Sequence, residues 1–275
     1  MTDVTFRELA GMSEMRAAEN VQRSVWGAGD VPDPADLMMV IQAEGGLVGG
    51  AFVEGRLMGY VFGFPTRDPA IQHSHRLAVL SEARGLGLGL RLKHYQRDWC
   101  LAQGISRVRW TFDPLRAANA ALNIHRLGAG ADTYFVDYYG EMEGINRGIA
   151  SDRLLADWDL GSAAAQALSA GRSRPRGDGP ESFLDLPLPN DLDALLASDP
   201  EAASRLRLDL RQALLDAFAD GARIVDFDKA SRRYLLGGQK TGRDVPRPGG
   251  SGMVSARSPA RPLAPRGSST SRRGG

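Results

Sequence analysis

The six residues Arg84-Gly85-Leu86-Gly87-Leu88-Gly89 are the part of this chain best equipped to hold an anionic ligand. They follow the apolar run Leu77-Ala78-Val79-Leu80 and the turn Ser81-Glu82-Ala83, and they open a helix. Backbone N–H groups converge in such a turn and the helix N-terminus adds partial positive charge, which suits a phosphate or pyrophosphate. Glycine lets the ligand approach where a Cβ would block it or strain the backbone, and Arg84 adds a formal charge. A P-loop would need Lys-Ser or Lys-Thr in the motif, and neither is in place. A dinucleotide fingerprint would need a glycine at Leu90 or Leu92, and it would follow the first strand of a parallel unit. Upstream, His73 and His75 stand two apart on a strand, so both imidazoles face one side. Glu82 is a second candidate base, acting through water, although an acid at a turn is more simply a solvated surface group.

These residues need a frame. Val4–Glu8 reads as a strand, followed by a helix capped at Ser13 and running to Trp26. Asp33-Pro34 starts a second helix, with Asp33 as N-cap and Pro34 at the first helical position. Leu47–Val53 and Arg56–Phe64 form a hairpin about Glu54-Gly55, and His73–Leu80 is the next strand. The helix behind the glycine turn buries a stripe of Leu88, Leu92, Tyr95, Trp99 and Ala102 and ends at Gly104. Ser106–Phe112 is a strand, Arg116–Leu127 a helix, and Thr133–Tyr139 and Leu154–Leu160 are two more strands. Antiparallel strands first and a βαβ-like unit later give an α/β three-layer arrangement over residues 4–160, with a mixed, mostly antiparallel sheet between helices.

Beyond this, 161–180 reads as a linker of small and polar residues. Residues 181–236 read as a small α/β extension packed on the first domain: a strand at Phe183–Leu188, a helix from Asp199-Pro200, and a hairpin of Ala222–Phe227 with Arg232–Leu236. The Gly-, Ser-, Pro- and Arg-rich tail 237–275 reads as disordered. The chain has 275 residues, 43% hydrophobic and 24% charged, as expected of a soluble globular protein. Its net charge of +1 is uneven. From Lys240 onward eight basic residues face Asp244 alone, a surplus of seven, which leaves about −6 to residues 1–239. That acidic body argues against a nucleic-acid partner, and the tail lacks the interleaved aromatics such binding uses. A single cysteine, Cys100, excludes a disulfide framework and a Cys-rich metal site; it is expected to be a buried structural thiol. No signal peptide or membrane-length apolar run is visible, so the expectation is a cytoplasmic protein without a membrane partner.

The spacing Arg-x-x-Gly-x-Gly at Arg84–Gly89, with the strand before it, the helix after it and Arg126-Leu127-Gly128-Ala129 closing the next helix, resembles the acyl-CoA signature of the GNAT (Gcn5-related N-acetyltransferase) superfamily. The order of elements over 4–160 resembles that fold too. The resemblance implies an N-acyltransferase with acetyl-CoA or another acyl-CoA as co-substrate and no metal. The pyrophosphate would sit on residues 84–89. The pantetheine arm would lie where the strand at 75–80 splays from that at 106–112, bonded to backbone around Leu77, Ala78 and Val79, with Asn119 as a further contact. A backbone N–H near Val79 would hold the developing oxyanion. The His-x-His before Leu-Ala-Val resembles the serotonin N-acetyltransferase branch, which makes His75, with His73, the candidate route for the acceptor's proton. Many relatives carry a tyrosine acid where this chain has Ile124; Tyr138 and Tyr139 are possible substitutes.

The run Trp110–Leu115, with Asn119, Asn123-Ile124, Tyr138-Tyr139-Gly140, Ile145-Asn146 and Ser151-Asp152-Arg153, resembles a bacterial branch of predicted acetyltransferases with a C-terminal extension. Some members are associated with acylation, including succinylation, of amino acids. It implies a small-molecule amine as acceptor, with Trp110, Asn146 and Arg153 on the acceptor side and Arg147 beside them. A possible homodimer, and a non-catalytic acyl-CoA-binding protein, remain alternatives at this stage.

Overall fold

The computed structural model describes residues 3–27, 30–140, 150–175 and 181–238. The first part runs β1 (Val4–Glu8), α1 (Gly11–Trp26), α2 (Ala35–Ala43), β2 (Leu47–Val53), β3 (Arg56–Pro65), β4 (Ile71–Val79), α3 (Leu88–Ala102) and β5 (Arg107–Phe112). It continues through α4 (Ala117–Ala120), which passes into a π-helical turn at Ala121–Arg126, then β6 (Tyr134–Phe135) and β7 (Arg153–Asp159). Seven strands form one sheet in the order β1-β2-β3-β4-β5-β7-β6. Every neighbouring pair is antiparallel except β4 with β5. The sheet is mixed and mostly antiparallel, as the sequence predicts.

Helices cover both faces. On one, Met15, Ala18 and Val21 of α1 and Met38 of α2 pack on Val48, Tyr60, Phe62 and Ala78. On the other, Leu88 and Leu92 of α3 pack on Leu47, Ala51 and Val61. Leu92 is fully buried, and truncating such a leucine to alanine costs about 2–5 kcal/mol.

The rest comprises α5 (Ala163–Ser169), β8 (Glu181–Phe183), α6 (Leu192–Ser198), α7 (Pro200–Ala219), β9 (Arg223–Asp228) and β10 (Arg233–Gly237). Here the three strands order as β8-β10-β9. Leu210 and Leu214 of α7, with Ile224, Phe227 and Tyr234, share one apolar cluster with Val108, Trp110, Leu154, Ala156 and Trp158. Asp113 and Arg207 add a buried bidentate ion pair at 2.6 and 2.9 Å.

Local differences from the sequence reading have local causes. Helix α1 begins at Gly11 without a side-chain cap; Glu14 accepts from the Ala10 N–H instead, at 2.8 Å. Asp33 does not cap α2, because its carboxylate is turned to His75 and Arg76. The strand expected at 133–139 stops at Phe135, and Asp137 with a φ of 46° turns the chain. The strand expected at 183–188 lies instead at Glu181–Phe183, sharing only Phe183, and Pro187 and Pro189 beyond it cannot donate to a ladder. Within the expected linker, 163–169 is helical: Ser162 accepts from the Ala165 N–H, and alanine favours the helix. Helix α6 was not expected; Asp191 caps it by accepting from Asp193 and Ala194. The tail from 239 lies outside the described residues, and no described helix is long and apolar enough to cross a membrane.

Candidate active site

Parallel pairing of β4 with β5 covers Ile71–His73 against Arg107–Arg109 and goes no further. Both strands continue, β4 against β3 as far as Val79 and β5 against β7 as far as Phe112. The two therefore part beyond His73 and Arg109, leaving a cleft at their carboxyl ends, where ligands of open α/β sheets bind. Along β4, Ala78 packs toward α1 and α2, while Leu77 and Val79 pack toward α3. Their backbones pair with Gly59–Val61 of β3 on the far side from the cleft.

The glycine turn stands at the mouth of this cleft. Ser81–Ala83 form one 3₁₀ turn, and Gly87 is the N-cap of α3 in the left-handed region. Gly85 and Gly87 have φ of 91° and 65°, and a Cβ on either would meet nothing within 4 Å. Here glycine answers to backbone angle, and the space in front is open. No side chain caps α3, so its first N–H groups are available to an anion. Arg84, Gly85, Leu86 and Gly87 are exposed, whereas Leu88 is buried and Gly89 lies against Val79 and Leu77. This cradle fits a pyrophosphate.

Titratable groups gather at a bulge. The β3–β4 register shifts between Phe62 and Gly63, which pair with Arg76 and Ser74, so His75 is the extra residue. His75 and Arg76 therefore both reach the α1–α2 side. His75 Nε2 lies 3.1 Å from Asp33 Oδ1, and Arg76 binds Asp33 at 3.3 Å and Asp30 at 3.0 Å. Burial pushes the Asp33 carboxyl up, but the His75 bond and Arg76 outweigh it, and the group is held below its ordinary value. An ionised carboxylate only accepts, so Nε2 carries the hydrogen of that bond. His73 stacks on Phe64 at 4.9 Å and lies 6.3 Å from the His75 ring. Burial, then His75 and Lys93, bring its pKa down to about 4, so it is neutral near pH 7. Glu82, in contrast, is paired with Arg56 at 2.6 Å on the exposed turn.

Residues 12–129 match the family model described as Acetyltransferase (GNAT) family. That segment of the chain is thus similar to a GNAT acetyltransferase domain. The match supports an enzyme of the N-acetyltransferase class, as the sequence resemblance implies. Among solved structures, it is similar to the ribosomal-protein-S18-alanine N-acetyltransferase from Escherichia coli, at 18% identity over 58% of this chain and 96% of that one, with a TM-score of 0.49. The ribosomal-protein-alanine N-acetyltransferase from Brucella melitensis follows at 18%, 57%, 99% and 0.46. The phosphinothricin acetyltransferase from Sinorhizobium meliloti in complex with AcCoA stands at 19%, 58%, 91% and 0.47. Similarity at this level leaves the family match to carry the assignment. No curated protein matches the sequence.

On the other flank of the GNAT cleft, Arg153 is buried; it donates to the Asp152 carbonyl at 2.8 Å and lies 5.1 Å from the Tyr139 ring centroid. Tyr139 hydroxyl is 3.2 Å from Thr111 Oγ1 on β5, and Tyr138 is exposed beside it. Trp110 points instead into the core, edge-on to Trp158 at 6.1 Å. Asn119 is half-buried in α4, and Ile124 is fully buried in the π-helical turn. Asn146 and Arg147 lie outside the described residues. Cys100 is a buried free thiol near Gln72, and burial pushes it up to about 12.

Sequence reasoning missed Asp33, which looks like a helix cap when read alone. It also missed why Asp113 and Asp152 stand where they do. Asp152 accepts from Tyr134 at 2.7 Å and from Arg211 twice at 2.9 Å, so α7 holds the end of β7 as well as the end of β5.

Proposed function

We propose that the chain moves an acetyl or succinyl group from coenzyme A to the amine of a small molecule, an amino acid being the favoured class, by direct attack. The observation that carries this is the open glycine turn on the uncapped end of α3, set at the mouth of the parting between β4 and β5. In this reading, residues 84–89 hold the pyrophosphate, and Leu77–Val79 with Asn119 line the pantetheine arm. The acceptor enters from the α1–α2 side. There an apolar hollow of about 290 Å³, lined by Val40, Ile41, Glu44, Phe64 and Pro65, adjoins the Phe64–His73 stack.

His75, oriented by Asp33, takes the ammonium proton through Nδ1, and neutral His73 beside it leaves the approaching cation unrepelled. The freed amine attacks the thioester carbonyl, and backbone N–H near Val79 steadies the oxyanion. Arg153 is offered as the partner of an acceptor carboxylate. Ile124, where relatives place an acid, favours a second reading, a binder that does not turn over. Thermal shifts with coenzyme A, acetyl-CoA, succinyl-CoA, NAD and ATP test the proposal: stabilisation by the coenzyme A series alone is expected, and stabilisation by NAD or ATP alone contradicts it. Release of thiol with any amine removes the second reading.

A further inference from the structure

Lys93, in the middle of α3, is 2% exposed. Its Nζ donates to Ser74 Oγ at 3.1 Å and Gln96 Oε1 at 2.7 Å, and lies 3.8 Å from the Trp110 ring centroid. Gln96 donates to Gln72 Oε1 at 2.6 Å, which also accepts from Cys100 at 3.4 Å. These oxygens are neutral, and Lys93 has no ion pair among the described residues. A buried ammonium without a carboxylate is costly to keep, and an apolar side chain of similar length would pack as well without that cost.

Its position suggests a use. Ser74 and Trp110 are the first residues beyond the last paired rung, His73 with Arg109, on the two diverging strands. An arm anchored at Arg84–Gly89 and running back past Val79 and Leu77 has its reactive end there. We propose that Lys93 supplies, through the Ser74 hydroxyl, the proton taken up by the departing coenzyme A sulfur. This rests on the acyl-CoA reading. The amine nitrogen, its ammonium proton already passed through His75 to solvent, bonds to the carbonyl carbon and gives its second proton to His75; the C–S bond breaks, and its electron pair goes to sulfur. The Ser74 hydroxyl, which donates to Gln96 Oε1 at 3.2 Å in the resting site, turns to give its proton to sulfur as Lys93 gives one to Ser74 Oγ. The products are the amide, the coenzyme A thiol, a protonated His75 and a neutral lysine; once the cleft empties the lysine regains a proton from solvent and His75 gives one up.

The surroundings support that exchange. Burial brings the Lys93 pKa down to about 7, with Cys100 of α3 pulling the other way. From β4 the titratable neighbour is His73; β5 and β7 present Trp110 and Trp158, which do not titrate. The thiolate of an ordinary thiol, whose pKa is about 8.5, is a stronger base than the neutral Lys93 amine, so the transfer runs downhill.

The test uses the full chain, with acetyl-CoA and succinyl-CoA as donors and a mixture of the standard amino acids as acceptors. Thiol release, calorimetric binding of coenzyme A, and ¹⁵N-lysine spectra of the free protein are followed against pH. Lys93→Met and Ser74→Ala are expected to lose about a hundredfold in kcat, with coenzyme A affinity within about twofold, and Ser74→Thr to restore the rate. Wild-type kcat should fall as pH rises through the Lys93 titration near pH 7, a limb absent from Lys93→Met. Should Lys93→Met fail to fold, the serine pair decides. Unchanged kcat in Ser74→Ala, an alkaline limb that survives Lys93→Met, or a Lys93 that stays charged beyond about pH 9 would overturn the proposal. Binding without thiol release overturns it while sparing the acyl-CoA site; no binding by wild type overturns both.

Discussion

Lys93 and Arg207 are equally buried, each 2% exposed, and are provided for in opposite ways. Arg207 meets Asp113 through two hydrogen bonds, and Asp113 also accepts from the Leu115 N–H. Lys93 meets a hydroxyl, an amide oxygen and an aromatic face. The first arrangement locks α7 to the end of β5 and holds one protonation state. The second lies where β4 and β5 part and lowers the cation's pKa into the working range. A compensated buried charge ties elements together; an uncompensated one is available for proton traffic.

Breaking the compensated pair should give the largest effect. Asp113→Ala leaves Arg207 buried and alone, and urea denaturation should show a loss of about 3–5 kcal/mol. Lys93→Met should move stability the other way, by about 1 kcal/mol in the same assay at pH 7, because a desolvated charge is replaced by a thioether of similar length. The pH dependence sharpens the contrast. Lys93 is lowered from 10.5 to about 7, so between those values the unfolded chain binds more protons than the folded one. Stability should therefore rise from pH 7 toward 10.5, with a slope that Lys93→Met removes. His73, lowered from 6.5 to about 4, should cost stability as pH falls through that window, and His73→Phe should lessen the loss. Asp33→Asn should leave the fold intact and lower kcat about tenfold by freeing the His75 ring. Gly87→Ala is expected to cost about 1 kcal/mol in the same denaturation assay, from its φ of 65°.

The cleft side of the molecule was legible because its signals are local. The Arg84–Gly89 spacing, the hairpin about Glu54-Gly55 and the apolar stripe of α3 need only nearby residues to be read. The bulge that brings His75 and Arg76 to one side was not legible, since it depends on how β3 registers against β4. Asp33 looks like a helix cap in the sequence for a related reason: its partners lie 42 and 43 residues away. Lys93 and Gln96 sit on the buried face of a helix whose periodicity shows only its apolar stripe. The ties of Asp113 and Asp152 to α7 span 94 and 59 residues, beyond the reach of periodicity.

The central claim is that Arg84–Gly89 holds coenzyme A. Calorimetric titration of the full chain with coenzyme A, set beside Arg84→Ala and Gly87→Ala, tests it most directly. The account predicts saturable binding that weakens about tenfold or more in each variant, as expected for a lost charge–phosphate contact or a distorted N–H cradle. Equal affinity in all three proteins, or no heat with coenzyme A while NAD or ATP binds, would contradict it.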